Sequence, residues 1–301
     1  MQTLSEGDLL GYTKAMLRKY AISPRKKWSQ NFVVKKKVVD ALFSGAELDS
    51  KDKVIEVGGG LGTLTFFLLN KCTEVVSYEI DPLLATIMVK NLNQYVKKLS
   101  VISADFLNQK IPDHPKMIAN LPYNISSPFI KKITNLQVPP ETIAITLQNE
   151  FAKHLCARSG DAQYSRISVF PSFFYHFELK ETFPSNYFYP KPKVKSSVVI
   201  GKRAKNIPQP VKEKAFFTFL TNLFCRKHKK VKNNLEVYKK MISDSQRKRF
   251  KIELQQLEYS SLRPLHLSPQ QILSLYIQFK ELMREFQKRT VSSLSGNKRI
   301  D

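Results

Sequence analysis

From about residue 53 the chain alternates short apolar runs with longer segments of helical period, and the first junction, VIEVGGGLGTLT (residues 54–65), turns on Gly58, Gly60 and Gly62. Parallel strands need a crossover between them, usually a helix, so such alternation admits few folds. KVIEV, EVVSYEI, LSVISAD, KMIAN and ETIAITLQ read as five strands, and TLTFFLLNK and PLLATIMVKNLNQYV as helices, the second opening on Pro82, a favoured first-turn residue. RISVFPSFFYHFEL and KVKSSVVI read as further strands, the last members pairing antiparallel. The pattern predicts a doubly wound α/β sheet. DLLGYTKAMLRKYAI, ahead of it, predicts an amphipathic helix packed on the same domain.

GKRAKNIPQP (residues 201–210) changes the composition to a proline-containing linker, after which VKEKAFFTFLTNLF and PQQILSLYIQFKELMREFQ read as helices. The expected division is therefore a sheet domain over 1–201 and a smaller helical domain over 202–301, with the last dozen residues disordered. The chain holds 49 Lys and Arg against 25 Asp and Glu, a formal charge of +24. The helical part alone carries 23 against 8, a net of +15. Folding does not require such an excess; it points to a polyanion, nucleic acid first and an anionic membrane surface second. Cys72, Cys156 and Cys225 lie far apart and form no CxxC pair, which argues against a disulfide framework or a thiolate zinc site. His114, His154, His176, His228 and His266 show no ligand spacing, so no metal is expected. No run approaches the length of a membrane span and the N-terminus resembles no leader, so a cytoplasmic protein is expected; it is also expected to be a monomer.

The glycine loop departs from the dinucleotide fingerprint, since Thr63 stands where GxGxxG needs its third glycine. GxGxG preceded by Glu56 is the form seen in S-adenosylmethionine (SAM) sites, although a loop of this kind serves equally as a plain strand-to-helix turn. Glu79 ends the second strand, where a carboxylate can accept from both ribose hydroxyls of an adenosine, and Asp105 ends the third. Three consecutive strand ends of this chemistry describe an adenosine-containing ligand across the sheet edge.

The fourth strand delivers Asn120, Leu121, Pro122 and Tyr123 to that edge. An exocyclic base amine is a poor nucleophile because its lone pair is delocalised into the ring. Two acceptors gripping its hydrogens favour the tetrahedral form that can attack a sulfonium methyl; the Asn120 side-chain oxygen and the Pro122 carbonyl are the candidates. Tyr123 can stack on the base. Leu121 replaces the first proline of the Asn/Asp-Pro-Pro-Tyr form typical of DNA adenine and protein glutamine methyltransferases.

With these motifs in order, the chain resembles the ribosomal small-subunit RNA adenine dimethyltransferases, the KsgA type. PRKKWSQNFVV is similar to that family's entrance segment and ANLPYNISSP to its catalytic loop; LQNEFAKHLCARSGDAQYSRISV and FYPKPKVKSSVV resemble two more specific blocks. The resemblance implies a Rossmann-like class I methyltransferase fold. It also implies SAM as cofactor, two neighbouring adenines near the 3′ end of small-subunit rRNA as substrate, and a part in ribosome biogenesis. It implies cofactor contacts at Asn31, Val33, Gly58, Gly60, Glu79, Asp105 and Asn120, with Phe188 packing on the target base opposite Tyr123. Gly59, where proline is usual, implies a looser loop; Ser29 and Val33 replace a usual glycine and leucine. Trp28 could stack on RNA or simply pack.

In FCRKHKKVKNNL, helical spacing would bury the aromatics and turn Arg226, Lys227, Lys229, Lys230 and Lys232 outward as phosphate contacts along folded RNA. A nuclear address signal is a competing reading of that run. Two other functions stay open: a nucleic-acid-binding assembly or transcription factor without turnover, and a large-subunit rRNA adenine methyltransferase of the same architecture.

Overall fold

The computed structural model describes residues 8–25 and 30–296, with side chains through 288. Trp28 and Ser29 lie outside the described residues. The chain divides into two compact units, Met1–Cys156 with Tyr175–Ala204, and Ala157–Phe174 with Lys205–Asp301.

The first unit contains α1 (Leu9–Lys19), β1 (Phe32–Val33), α2 (Lys36–Ala46), β2 (Lys53–Val57), α3 (Thr63–Lys71), β3 (Glu74–Glu79), α4 (Pro82–Asn91), β4 (Leu99–Ser103), β5 (Lys116–Asn120), α5 (Ser126–Ile133), β6 (Thr142–Gln148), α6 (Asn149–Cys156), β7 (Tyr175–Phe183), β8 (Phe188–Tyr189) and β9 (Ser196–Arg203). Seven strands form one sheet in the order β4-β3-β2-β5-β6-β9-β7. The first five are parallel neighbours, while β9 runs antiparallel to both β6 and β7. The central strands are buried almost throughout, as strands covered by helices on both faces must be. Strand order reverses between β2 and β5, and a doubly wound sheet opens its binding crevice at such a point. A separate pair, β1 with β8, aligns Phe32 with Tyr189 and Val33 with Phe188.

The expected N-terminal helix is present. Asp8 caps α1 by accepting from the Gly11 amide at 2.8 Å, and Leu9, Tyr12, Thr13 and Leu17 supply its buried stripe. Tyr12 donates its hydroxyl to the Leu61 carbonyl at 3.1 Å, which ties α1 to the glycine loop.

The second unit corrects the expected boundary. The segment 157–174, placed by sequence in the sheet domain, packs with the C-terminal helices α8 (Lys214–Leu223), α9 (Val231–Leu235), α10 (Arg247–Gln256) and α11 (Pro269–Gly296). Buried Tyr164 donates to the Leu267 carbonyl at 2.9 Å, and Phe170 meets Phe216 and Phe217 with centroids 6.5 and 5.4 Å apart. RISVFPSFFYHFEL is likewise not one strand. Arg166–Ser172 forms α7, started by the Ser165 amide donating to the Ser168 hydroxyl at 3.0 Å, and β7 begins only at Tyr175. An apolar run without a clear period cannot by itself separate a buried strand from a short helix. At the C-terminus, α11 continues through Gly296, beyond the start of the tail expected to be disordered.

Removing the Tyr164 hydroxyl strands a buried carbonyl. Tyr164→Phe should therefore cost about 1–3 kcal/mol in unfolding free energy, measured by denaturant titration.

Candidate active site

The strand ends expected to converge do so within the first unit. A cleft with about 870 Å³ of empty space, open to solvent, is lined by Asn31, Gly58, Gly60, Glu79, Asp105, Asn120 and Pro122, with Gln30, Phe32, Ile80 and Phe106 among their neighbours. Of the predicted cofactor residues only Val33 is missing from this lining. Its side chain is buried in the core, and Asn31 and Phe32 of the same segment face the cleft instead.

The loop after β2 explains its own glycines. Gly58 and Gly60 have φ of +82° and +57°, in the left-handed region that side chains disfavour. A Cβ on Gly60 would sit 3.1 Å from the Phe32 ring, and one on Gly58 would lie 3.5 Å from the Asn120 carbonyl oxygen. The glycine loop and the catalytic loop therefore meet backbone to backbone. Gly59, expected to make a looser turn, has no room for a side chain as its neighbours stand. A Cβ there would come within 2.4 Å of the Ser77 hydroxyl and 2.8 Å of the Met88 sulfur, so side chains fill the space.

Glu79 is buried, with Oε2 accepting from the Gly60 amide at 2.7 Å and Oε1 from the Asp81 amide at 2.9 Å. Burial raises its pKa, against the lowering effect of those amides. Each carboxylate oxygen retains acceptor capacity toward the cleft. Asp105 caps a short turn, Oδ1 accepting from the Leu107 amide at 2.9 Å and Oδ2 from the Asn108 side chain at 3.0 Å. Sequence reading missed what holds that turn. Lys132 on α5 donates to the Leu107 and Gln109 carbonyls at 3.1 and 2.7 Å, and its ammonium lies 5.2 Å from the centre of the Phe106 ring.

At the end of β5, Asn120 Nδ2 donates to the Asn31 carbonyl at 2.7 Å and Oδ1 accepts from the Thr146 hydroxyl at 2.6 Å. The Pro122 carbonyl accepts from the Ile125 amide at 3.1 Å. Both proposed acceptors are thus engaged once and keep a second lone pair. Tyr123, whose hydroxyl is 2.6 Å from that of Ser196, lies outside the cleft lining. So does Phe188, which is 3% exposed and packed in the core with Phe32. The two rings do not stand open as a ready-made clamp.

Beneath the glycine loop, Glu56 is 0% exposed and accepts through Oε2 from the Thr65 and Ser77 hydroxyls at 2.7 and 2.6 Å, while Oε1 has no partner. Burial lifts its carboxyl to about 7. Among the described residues no cluster of His, Cys, Asp or Glu is placed to hold a metal ion. Nor does any helix there have the length and apolarity to cross a membrane.

The basic run in the second unit is not the helix its spacing suggested. Residues 224–228 form a turn between α8 and α9. Lys227 donates to the Ala162 carbonyl at 2.5 Å and Arg226 to the Asn233 carbonyl at 3.1 Å, so both are partly spent on the fold. Lys229 and Lys230 are exposed and Lys232 is half-buried.

The fold and cleft define a Rossmann-like methyltransferase. The model of the ribosomal RNA adenine dimethylase family matches residues 22–263, and the chain belongs to that family. It is 34% identical to the ribosomal RNA small subunit methyltransferase A of Treponema denticola over 232 residues, covering 74% of this chain and 78% of the relative. Among solved structures it is similar to a dimethyladenosine transferase from Plasmodium falciparum (TM-score 0.71, 24% identity, covering 82% of this chain and 96% of that one). It is also similar to the 23S rRNA methyltransferase ErmE (TM-score 0.61, 26% identity, covering 82% and 99%).

A carboxyl whose pKa rises on folding binds a proton in the native state that the unfolded chain has released. The contribution of Glu56 to native stability therefore falls as pH climbs from about 4.5 to about 7 and is level above that range. Glu56→Gln should remove the Glu56 share of this slope and leave that of Glu79, whose carboxyl burial also raises, so the fall in unfolding midpoint between about pH 4.5 and 7 should become shallower.

Proposed function

We propose that the chain uses SAM to methylate the exocyclic amines of two neighbouring adenines near the 3′ end of small-subunit rRNA, during assembly of that subunit. The observation that carries this is the meeting of the Gly58–Gly60 turn, Glu79, Asp105 and Asn120 in one cleft, in a chain of the ribosomal RNA adenine dimethylase family. When bound, SAM supplies an electrophilic methyl group. The cleft fits it: glycines leave room where a Cβ on Gly60 would press on Phe32, Glu79 and Asp105 retain acceptor capacity for ribose and base, and Ile80 and Phe106 offer apolar walls.

The residues do the rest by position. Asn120 Oδ1 and the Pro122 carbonyl can each accept one hydrogen of an adenine amine, drawing its nitrogen toward tetrahedral geometry and turning its lone pair toward the cofactor. No strong base is needed, because the cationic product loses its proton to solvent. Tyr123 stacks on the base. Phe188 joins it only by giving up burial worth about 2–3 kcal/mol, so its part as the opposite wall depends on the target base replacing that packing. An unpaired loop lowers the cost of extruding the base.

The RNA partner accounts for the charge. Lys229, Lys230 and Lys232 are the phosphate contacts in the second unit, with Arg226 and Lys227 serving mainly to hold its fold. The first unit adds Lys191, Lys193 and Lys195, all exposed, on a segment stiffened by Pro190 and Pro192 and leading into Ser196, the partner of Tyr123. No acid occurs between Glu181 and Glu213 to neutralise them.

Asn120→Ala should abolish labelled methyl transfer to immature small subunits while leaving SAM affinity within a modest factor; near-normal transfer would remove the amine-polarising role. Large subunits serve as the control substrate. Replacing Lys191, Lys193 and Lys195 by Ala, or separately Lys229 and Lys230, should weaken RNA binding and lower the slope of log K against log salt by about 0.7–0.9 for each phosphate no longer neutralised. An unchanged slope would return either group to ordinary solvated surface.

A further inference from the structure

We infer that Thr146 is a positioning residue that sets the amide of Asn120 before the target amine arrives. The inference rests on the reading of Asn120 as an acceptor for that amine. Asn120 and Thr146 are register partners on the parallel strands β5 and β6, so their side chains emerge on the same face of the sheet. Thr146 is 0% exposed, and its hydroxyl lies 2.6 Å from Asn120 Oδ1.

The hydrogen-bond directions follow from the groups present. The Asn31 main-chain carbonyl, 2.7 Å from the other end of the amide, can only accept, so the amide nitrogen must face it. The reverse orientation would set two oxygens against each other. That places Oδ1 opposite Thr146, whose hydroxyl must then be the donor. The terminal torsion of an asparagine is otherwise broad. Held at both ends, the amide plane is fixed, and Oδ1 keeps one lone pair for a second donor. An acceptor fixed in advance needs no reorganisation during reaction. Without Thr146 the amide retains only the Asn31 contact and can swing its oxygen out of line.

Two substitutions separate this role from simple packing. Thr146→Val keeps the shape and removes the donor; Thr146→Ser keeps the donor and removes a buried methyl. Positioning predicts that Val lowers kcat for transfer to immature small subunits by about 3- to 10-fold, with the KM for SAM unchanged, and that Ser recovers most of the rate. Packing predicts the opposite order, because loss of a buried methyl leaves a cavity whereas Val fills the site. Thermal unfolding of each variant accompanies the kinetics, and in an Asn120→Ala background the Val change should have no further effect on residual transfer. A Val variant with the wild-type kcat, or a Ser variant slower than Val, while Asn120→Ala is inactive, overturns the inference and leaves the role of Asn120 standing. An active Asn120→Ala protein overturns the acceptor role itself, and this inference with it.

Discussion

The arrangement of the site depends on the approach of two main chains at Gly58. With φ at +82°, Gly58 bends the turn after β2 so that it lies against the carbonyl of Asn120 at the end of β5, and an added Cβ would meet that oxygen at 3.5 Å, an ordinary contact distance. The two strands are neighbours at the point where sheet order reverses, so their following loops diverge and leave a crevice between them. A side chain at 58 would strain the turn through its positive φ rather than clash with the loop that carries Asn120. The other parts of the cleft are arranged around this contact: Glu79 accepts from the Gly60 amide on one side, and Asn31 accepts from the Asn120 amide on the other.

Polar groups around that contact are restrained but not exhausted. Glu79, Asp105, Asn120 and the Pro122 carbonyl each accept from within the protein and keep further acceptor capacity. Such internal bonds hold the acceptors in place and reduce the desolvation they would suffer if left unpaired. Glu56, deeper in the sheet, follows another logic: with one oxygen unpaired and no cation beside it, burial favours its neutral form.

The cations divide in a similar way. Lys132 and Lys227 direct their donors at main-chain carbonyls in turns, and Arg226 at one in α9, and so stabilise the fold. Lys191, Lys193, Lys195, Lys229 and Lys230 project into solvent without nearby acids in sequence. A charge of +24 therefore overstates the cationic surface left free of the fold, since some of it is spent on main-chain carbonyls.

The alternation of strands and helices was legible in the sequence, because short continuous apolar runs between turn residues and longer helical segments are local patterns; TLTFFLLNK and KMIAN match α3 and β5 residue for residue. The sequence also determined the strand-end chemistry of Gly58, Glu79, Asp105 and Asn120, since each lies where a predicted strand stops. Tertiary structure decided what depends on partners distant in the chain. It moved residues 157–174 into the helical unit through Tyr164 and Phe170, buried Phe188, filled the space beside Gly59 with Ser77 and Met88, and set Thr146 opposite Asn120. Local propensity reports period and turn chemistry, but the neighbours of a side chain follow from register and packing, which exist only once the sheet has assembled.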